Sequence, residues 1–207
     1  MSDILLEQQS APVTPSTGQA IIFIDANGKK HFTKDSDGVL TGRIDNGAVT
    51  NQAGFATDTY VTNSDILIPT FGLQAKTMFR WRFSVSKTAA GTATPIYTIR
   101  TGAARTTSDT SRLVLTGVAQ TAAADVAVIE ILLTVRSIGA SGVIQGTISM
   151  IHNLAATGFA NNASSIVEAT SAGFDTSVLP GQYIGVSING GTSAVWTMTQ
   201  ARAEAIW

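Results

Sequence analysis

Between Lys76 and Lys87 the chain reads KTMFRWRFSVSK, with Phe79, Trp81, Phe83 and Val85 at alternate positions and Met78, Arg80, Arg82, Ser84 and Ser86 between them. A period of two predicts a β-strand whose aromatic face needs a second apolar sheet to cover it. The same alternation recurs downstream. Val126 to Arg136 puts Ile129, Ile131, Leu133 and Val135 on one side, Val143 to Ile151 puts Ile144, Gly146, Ile148 and Met150 together, and Gln182 to Asn189 groups Ile184, Val186 and Ile188. Shorter runs near Ile66 to Pro69, Pro95 to Thr101, Arg112 to Thr116, Ile166 to Thr170 and Ala194 to Ala203 complete eight or nine predicted strands. Gly- and Ser-rich turns join them and helical periodicity is nearly absent, which predicts an all-β, antiparallel, jelly-roll-like β-sandwich over residues 58–207.

Ahead of this body, the pattern changes. Residues 1–17 hold one apolar turn, Ile4-Leu5-Leu6, followed by QQSAPVTPSTG, and read as an extended arm. Such an arm is either a disordered tail or a peptide that docks into a partner's groove; a purely solvated tail has no use for three consecutive aliphatic residues, so on the docking reading Ile4, Leu5 and Leu6 are the candidate attachment residues. Residues 18–57 read as a small β-hairpin and linker: Ala20 to Ile24 and Lys29 to Thr33 flank Asn27-Gly28, a strong two-residue turn signal, and Thr41 to Thr57 is glycine-punctuated connecting chain. An isolated hairpin is marginal in water and must pack against the body, a partner or copies of itself.

Composition narrows the functional classes. Only 13% of the 207 residues are charged, about half the usual fraction, and the formal charge is −1. A surface so poor in charge suits a chain that buries itself against copies or partners. Without runs of Lys or Arg, nucleic acid and anionic membrane are not expected partners, and no apolar window is long enough to insert as a spanning helix. MSDILLEQQS lacks the basic and long apolar regions of a secretory signal.

Candidate chemistry is sparse. His31 and His152 are the two histidines and fall in separate units; Asp35-Ser36-Asp37-Gly38 supplies half of a calcium loop without the far glutamate, and reads as turn chemistry. Glu130, Glu168 and Glu204 stand alone in strand contexts, so no carboxylate pair for glycoside hydrolysis is expected. The expectation is therefore a non-enzyme with no catalytic residues, no cofactor and no metal. Binding residues are easier to nominate. Trp81 and Trp196 are in phase with core positions, whereas Trp207 is expected at a subunit boundary. Arg80 and Arg82, side by side on the polar face, mark either a wet outer face or a subunit contact.

The stretch PVTPSTGQAIIFIDANGKKHFTKDSDG at Pro12 to Gly38 resembles the N-terminal attachment segments of tailed-bacteriophage fibres and spikes. RWRFSVSKTAAGTATPIYTIRTGA at Arg80 to Ala103, HNLAATGFA at His152 to Ala160 and VWTMTQARAE at Val195 to Glu204 are similar to the body of such virion appendages. That resemblance implies a homotrimeric structural protein on the virion surface. It would be a head fibre or capsid decoration, anchored through its arm to the major capsid protein or another virion protein and presenting a β-sandwich for host adhesion. The alternative it implies is a tail fibre or spike tip that binds host cell-surface glycan as a lectin does. The chain lacks the long shaft or parallel β-helix of a spike that degrades polysaccharide.

Overall fold

In the computed structural model, residues 8–26, 30–162, 164–191 and 196–207 are described, and among them every regular element is a strand. The front of the chain forms β1 (Gln8–Gln9), β2 (Ala20–Asp25), β3 (His31–Asp35), β4 (Leu40–Ala48) and β5 (Gln52–Gly54). There follow β6 (Thr59–Tyr60), β7 (Ile66–Leu67), β8 (Met78–Lys87), β9 (Ile96–Gly102) and β10 (Thr110–Thr116). The remainder is β11 (Asp125–Ser137), β12 (Val143–His152), β13 (Ser164–Thr170), β14 (Tyr183–Asn189) and β15 (Trp196–Ile206).

These strands make two sheets. The larger runs β1-β2-β3-β4-β15-β8-β11-β12-β13, with β5 also paired to β15; the smaller runs β10-β9-β14-β6, with β7 also on β14. The pairings are nested: β4 with β15, β6 and β7 with β14, β8 with β11, and β9 with β10, all antiparallel. A long hairpin rolled up on itself in this way is a jelly roll. The β12–β13 hairpin widens its large sheet on one side and β1 to β3 widen it on the other.

Alternation decides what faces inward. Phe79, Trp81, Phe83, Ile129, Ile131, Leu133 and Ile144 of the large sheet are 0% exposed and meet Ile99, Leu115, Val186 and Ile188 of the small one. Burying a side chain of this size contributes about 1.5–3 kcal/mol, so this interior is the main source of stability. In β15 the phase slips at a bulge between Met198 and Gln200, so Trp196 and Met198 are followed inward by Ala201, Ala203 and Ala205.

Part of the stretch read as linker, 41–57, is sheet: β4 carries the hairpin directly onto β15, and β5 continues alongside. The hairpin is fixed to the body by aromatic packing. Phe32 lies over Gly42, where an added Cβ would come within 2.1 Å of the ring, and Phe23, Phe32, Phe71, Phe79 and Trp207 form one edge-to-face cluster with centroid spacings of 5.0–6.3 Å. Trp207, expected at a subunit boundary, finds partners within its own chain. It is 9% exposed within its own chain, its backbone N–H donates to the Gly42 carbonyl at 3.0 Å, and its indole N–H donates to the Gly72 carbonyl at 3.2 Å. A large ring finds its cover in the pocket that the hairpin and body make together.

Candidate interaction face

Outward-pointing side chains of β8 are those left over once its aromatic face is buried, and the register sets their neighbours. Arg80 sits opposite Glu204 on β15 and Leu132 on β11; Arg82 sits opposite Arg202 on β15 and Glu130 on β11. Arg80 takes both acids. Its Nε and Nη2 donate to Glu130 Oε2 at 2.9 and 2.5 Å, its Nη1 reaches Glu204 Oε1 at 3.4 Å, and Arg43 also pairs with Glu204. Hydrogen bonding to Glu130, followed by the charge of that carboxylate, holds the Arg80 guanidinium in its charged form above its ordinary range.

Arg82 and Arg202 are left facing each other. Both are exposed, and neither makes an ion pair among the described residues. Like charges directly across a strand pair are destabilising unless an outside group neutralises them. The two arginines help line a cavity of about 420 Å³ together with Arg43, Arg80, Glu204 and Ile206.

Aliphatic side chains bracket this charged strip. Met78, Leu132 and Ile206 are 40–44% exposed around a second cavity of about 320 Å³. Beyond Ser84, Val126, Ile151 and Ile166 are 55–74% exposed on β11, β12 and β13. Together they form an apolar and cationic surface across the outer side of the large sheet, the composition expected where another protein surface docks.

The other nominated residues are dispersed. Ile4, Leu5 and Leu6 lie outside the described residues, as do Asn27 and Gly28. The arm beyond them runs along the hairpin: β1 pairs parallel to β2, and Lys34 Nζ donates to the Pro12 carbonyl at 2.8 Å. Asp35 accepts the Asp37 and Val39 N–H groups at 3.0 and 2.9 Å, a turn-forming role, while Asp25 is buried and accepts the Thr70 N–H and hydroxyl at 3.0 and 2.6 Å. Among the described residues no three His, Cys, Asp or Glu side chains group as metal ligands.

His152 is structural. Its Nδ1 is 2.8 Å from Asp125 Oδ2 and its Nε2 is 2.5 Å from the Asn162 carbonyl, so one ring ties both ends of the 153–162 loop to β11. Lys87 completes the knot, its Nζ donating to the Gly91, Thr121 and Gly158 carbonyls at 2.9, 2.6 and 3.1 Å. Desolvation lowers the Lys87 pKa, against the pull of the Asp125 charge. The exposed Arg82–Arg202 opposition escaped sequence reading because it depends on the register between β8 and β15; the one available signal was the Arg80 and Arg82 spacing.

No family model matches the chain, and no curated protein matches it. Among solved structures it is similar to the legume lectin-like domain from Entamoeba histolytica, at 9% identity over 74% of this chain and 89% of that one, with a TM-score of 0.24. Likeness at that level carries no argument about fold or function.

Proposed function

We propose that the chain is a non-enzymatic bacteriophage virion protein, a homotrimeric head fibre or capsid decoration whose arm anchors it to the capsid and whose jelly roll faces outward for adhesion. The virion role comes from the sequence resemblance. The observation that supports assembly is the outer face of the large sheet, where Met78, Leu132 and Ile206 flank the opposed Arg82 and Arg202. A two-fold contact centred there would set that arginine pair against its own copies, whereas a closed ring of heterologous contacts brings a different surface to it. Three arms held by one symmetric socket raise each other's effective concentration, and three bodies present repeated weak contacts to a cell surface.

Light scattering on the purified full chain tests the assembly, with three times the chain mass expected. Removing residues 1–7 should leave that mass intact and abolish attachment to virions. A monomer at micromolar concentration, or undiminished attachment of the truncated chain, overturns the proposal.

A further inference from the structure

One end of the sandwich is closed by the 153–162 loop, whose Phe159 and Ala160 are 0% exposed and whose Phe159 ring packs edge-on against Trp196, 4.9 Å between centroids. Beneath that loop the His152 and Asp125 side chains are both fully buried. The ring stands between two oxygens: Asp125 Oδ2 is 2.8 Å from Nδ1, and the Asn162 carbonyl oxygen is 2.5 Å from Nε2.

A neutral imidazole has one N–H and one bare nitrogen, so it can donate to only one of these oxygens, and a backbone carbonyl has no proton to give in return. With the single proton on Nδ1, the Nε2 lone pair would face the Asn162 oxygen at close range, in a buried setting where repulsion is weakly screened. With it on Nε2, the same conflict moves to Asp125, unless the carboxyl is itself protonated. The surroundings of Asp125 argue against that. Its Oδ1 accepts the Val126 N–H at 2.8 Å and its Oδ2 the Phe159 N–H at 3.1 Å, and such donors favour the ionised form. The Nδ1 to Oδ2 separation also suits a charge-assisted bond from a cationic N–H to a carboxylate.

We propose that His152 is a buried imidazolium donating from both ring nitrogens, and that the 159–162 end of the loop is a lid held shut by the Nε2 proton. Asp125 retains the Nδ1 proton when the ring is neutralised, so the Nε2 proton is the one that leaves as the pH is raised. Nε2 then repels the Asn162 carbonyl, and that end of the loop lifts from Trp196. The part before it stays in place, because the Gly158 N–H donates to Thr121 Oγ1 at 2.6 Å and the Gly158 carbonyl accepts the Thr121 N–H at 2.9 Å. Gly158 is the hinge: its φ is 91°, and an added Cβ would come within 2.1 Å of Asp125 Oδ2.

The titratable groups that meet here, among the described residues, are Asp125, His152 and Lys87, one carboxylate against two cations. That surplus of positive charge eases the loss of a proton. The ring gives way first, because an imidazolium ordinarily releases its proton far below an ammonium and the Lys87 protons are engaged by the Gly91, Thr121 and Gly158 carbonyls. A contact that only the protonated ring can make adds stability that is present at lower pH and lost as the ring is neutralised, so the lid opens toward alkali.

Heteronuclear NMR of the full chain labelled with heavy nitrogen tests both parts. His31, exposed on β3, is the one other histidine, and His31→Gln identifies its signals. At about pH 7 both His152 ring nitrogens should appear protonated; a bare nitrogen there would overturn the assignment. Between about pH 6 and about pH 9 the Phe159 amide should lose about tenfold or more of its protection from hydrogen exchange, after correction for the intrinsic rate, while the Gly158 amide keeps its own. Constant protection of Phe159 across that range, or equal losses at Phe159 and Gly158, would overturn the lid. Neither part rests on the assembly or the virion role, so a monomeric chain leaves both standing.

Discussion

Arg100, on the outer side of the small sheet, donates to Asp58 at 2.5 Å, to the Ser187 hydroxyl at 2.8 Å and to the Asp109 carbonyl at 2.8 Å. Arg82, on the outer side of the large sheet, faces Arg202 and pairs with neither acid beside it. The first guanidinium is 13% exposed beneath loops that close over it, and the second stands in the open among aliphatic side chains. Both faces come from strands whose inner sides are equally apolar, so the interior does not explain the contrast. The difference is in who supplies the counter-charge: at Arg100 the chain's own loops do so, and at Arg82 no described acid does.

Several substitutions would break or sharpen that contrast. The largest effect belongs to neither face. Trp207→Ala should cost about 3–5 kcal/mol in denaturant unfolding, because it empties the pocket between hairpin and body. A change in oligomer mass without loss of stability would return Trp207 to the subunit boundary. On the closed face, Arg100→Ala should cost about 3 kcal/mol, since it strands a half-buried carboxylate and the Ser187 hydroxyl. A loss below 0.5 kcal/mol, the usual range for a surface change, would mean that face is no more closed than the other.

Acid titration probes the polar knot at the end of the sandwich, with an effect of intermediate size. Burial alone would raise the Asp125 pKa, but the Phe159 N–H, the His152 ring and the Val126 N–H hold it below its ordinary 3.8. A carboxyl depressed on folding adds stability that is full above its unfolded value and lost as pH falls through its folded one. Stability should therefore drop below about pH 4, and Asp125→Asn should flatten that drop, as followed by unfolding at a series of pH values.

The smallest effects on the single chain are expected on the open face. Leu132→Glu should leave the dispersed chain's stability within about 0.5 kcal/mol while lowering the mass seen by light scattering. Arg82→Gln, by relieving the opposition to Arg202, should leave that stability unchanged or raise it by about 0.5 kcal/mol at most.

How much of this was legible in the sequence follows from which side chains carry the signal. The strands bearing Phe79 to Val85 and Ile129 to Val135 were evident because each inward position is a large apolar residue. Strand β4 was not, because two of its five inward positions are Gly42, which makes room for the Phe32 ring, and Asn46, whose amide donates to the Asp65 carbonyl at 2.8 Å. A glycine and an asparagine in those places look like a turn. The Trp207 pocket joins Phe32, Phe71 and Phe79, which no spacing rule connects, and Asp65 meets Arg105 only because the sheet brings residues 60–65 beside 102–109. Periodicity reports which residues turn inward; it is silent on which distant loops then meet.

The outermost pair of the roll joins β4 to β15, strands made near the beginning and at the very end of translation of these residues. A ribosome that has not yet released residues 196–206 holds a half-built sandwich whose greasy inner side has nothing beside β4 to close it. Such a topology defers closure until synthesis of that stretch is complete and makes folding slow relative to chains with local contacts. In that interval the exposed apolar surface and open strand edges of the nascent polypeptide are prone to premature association with its siblings.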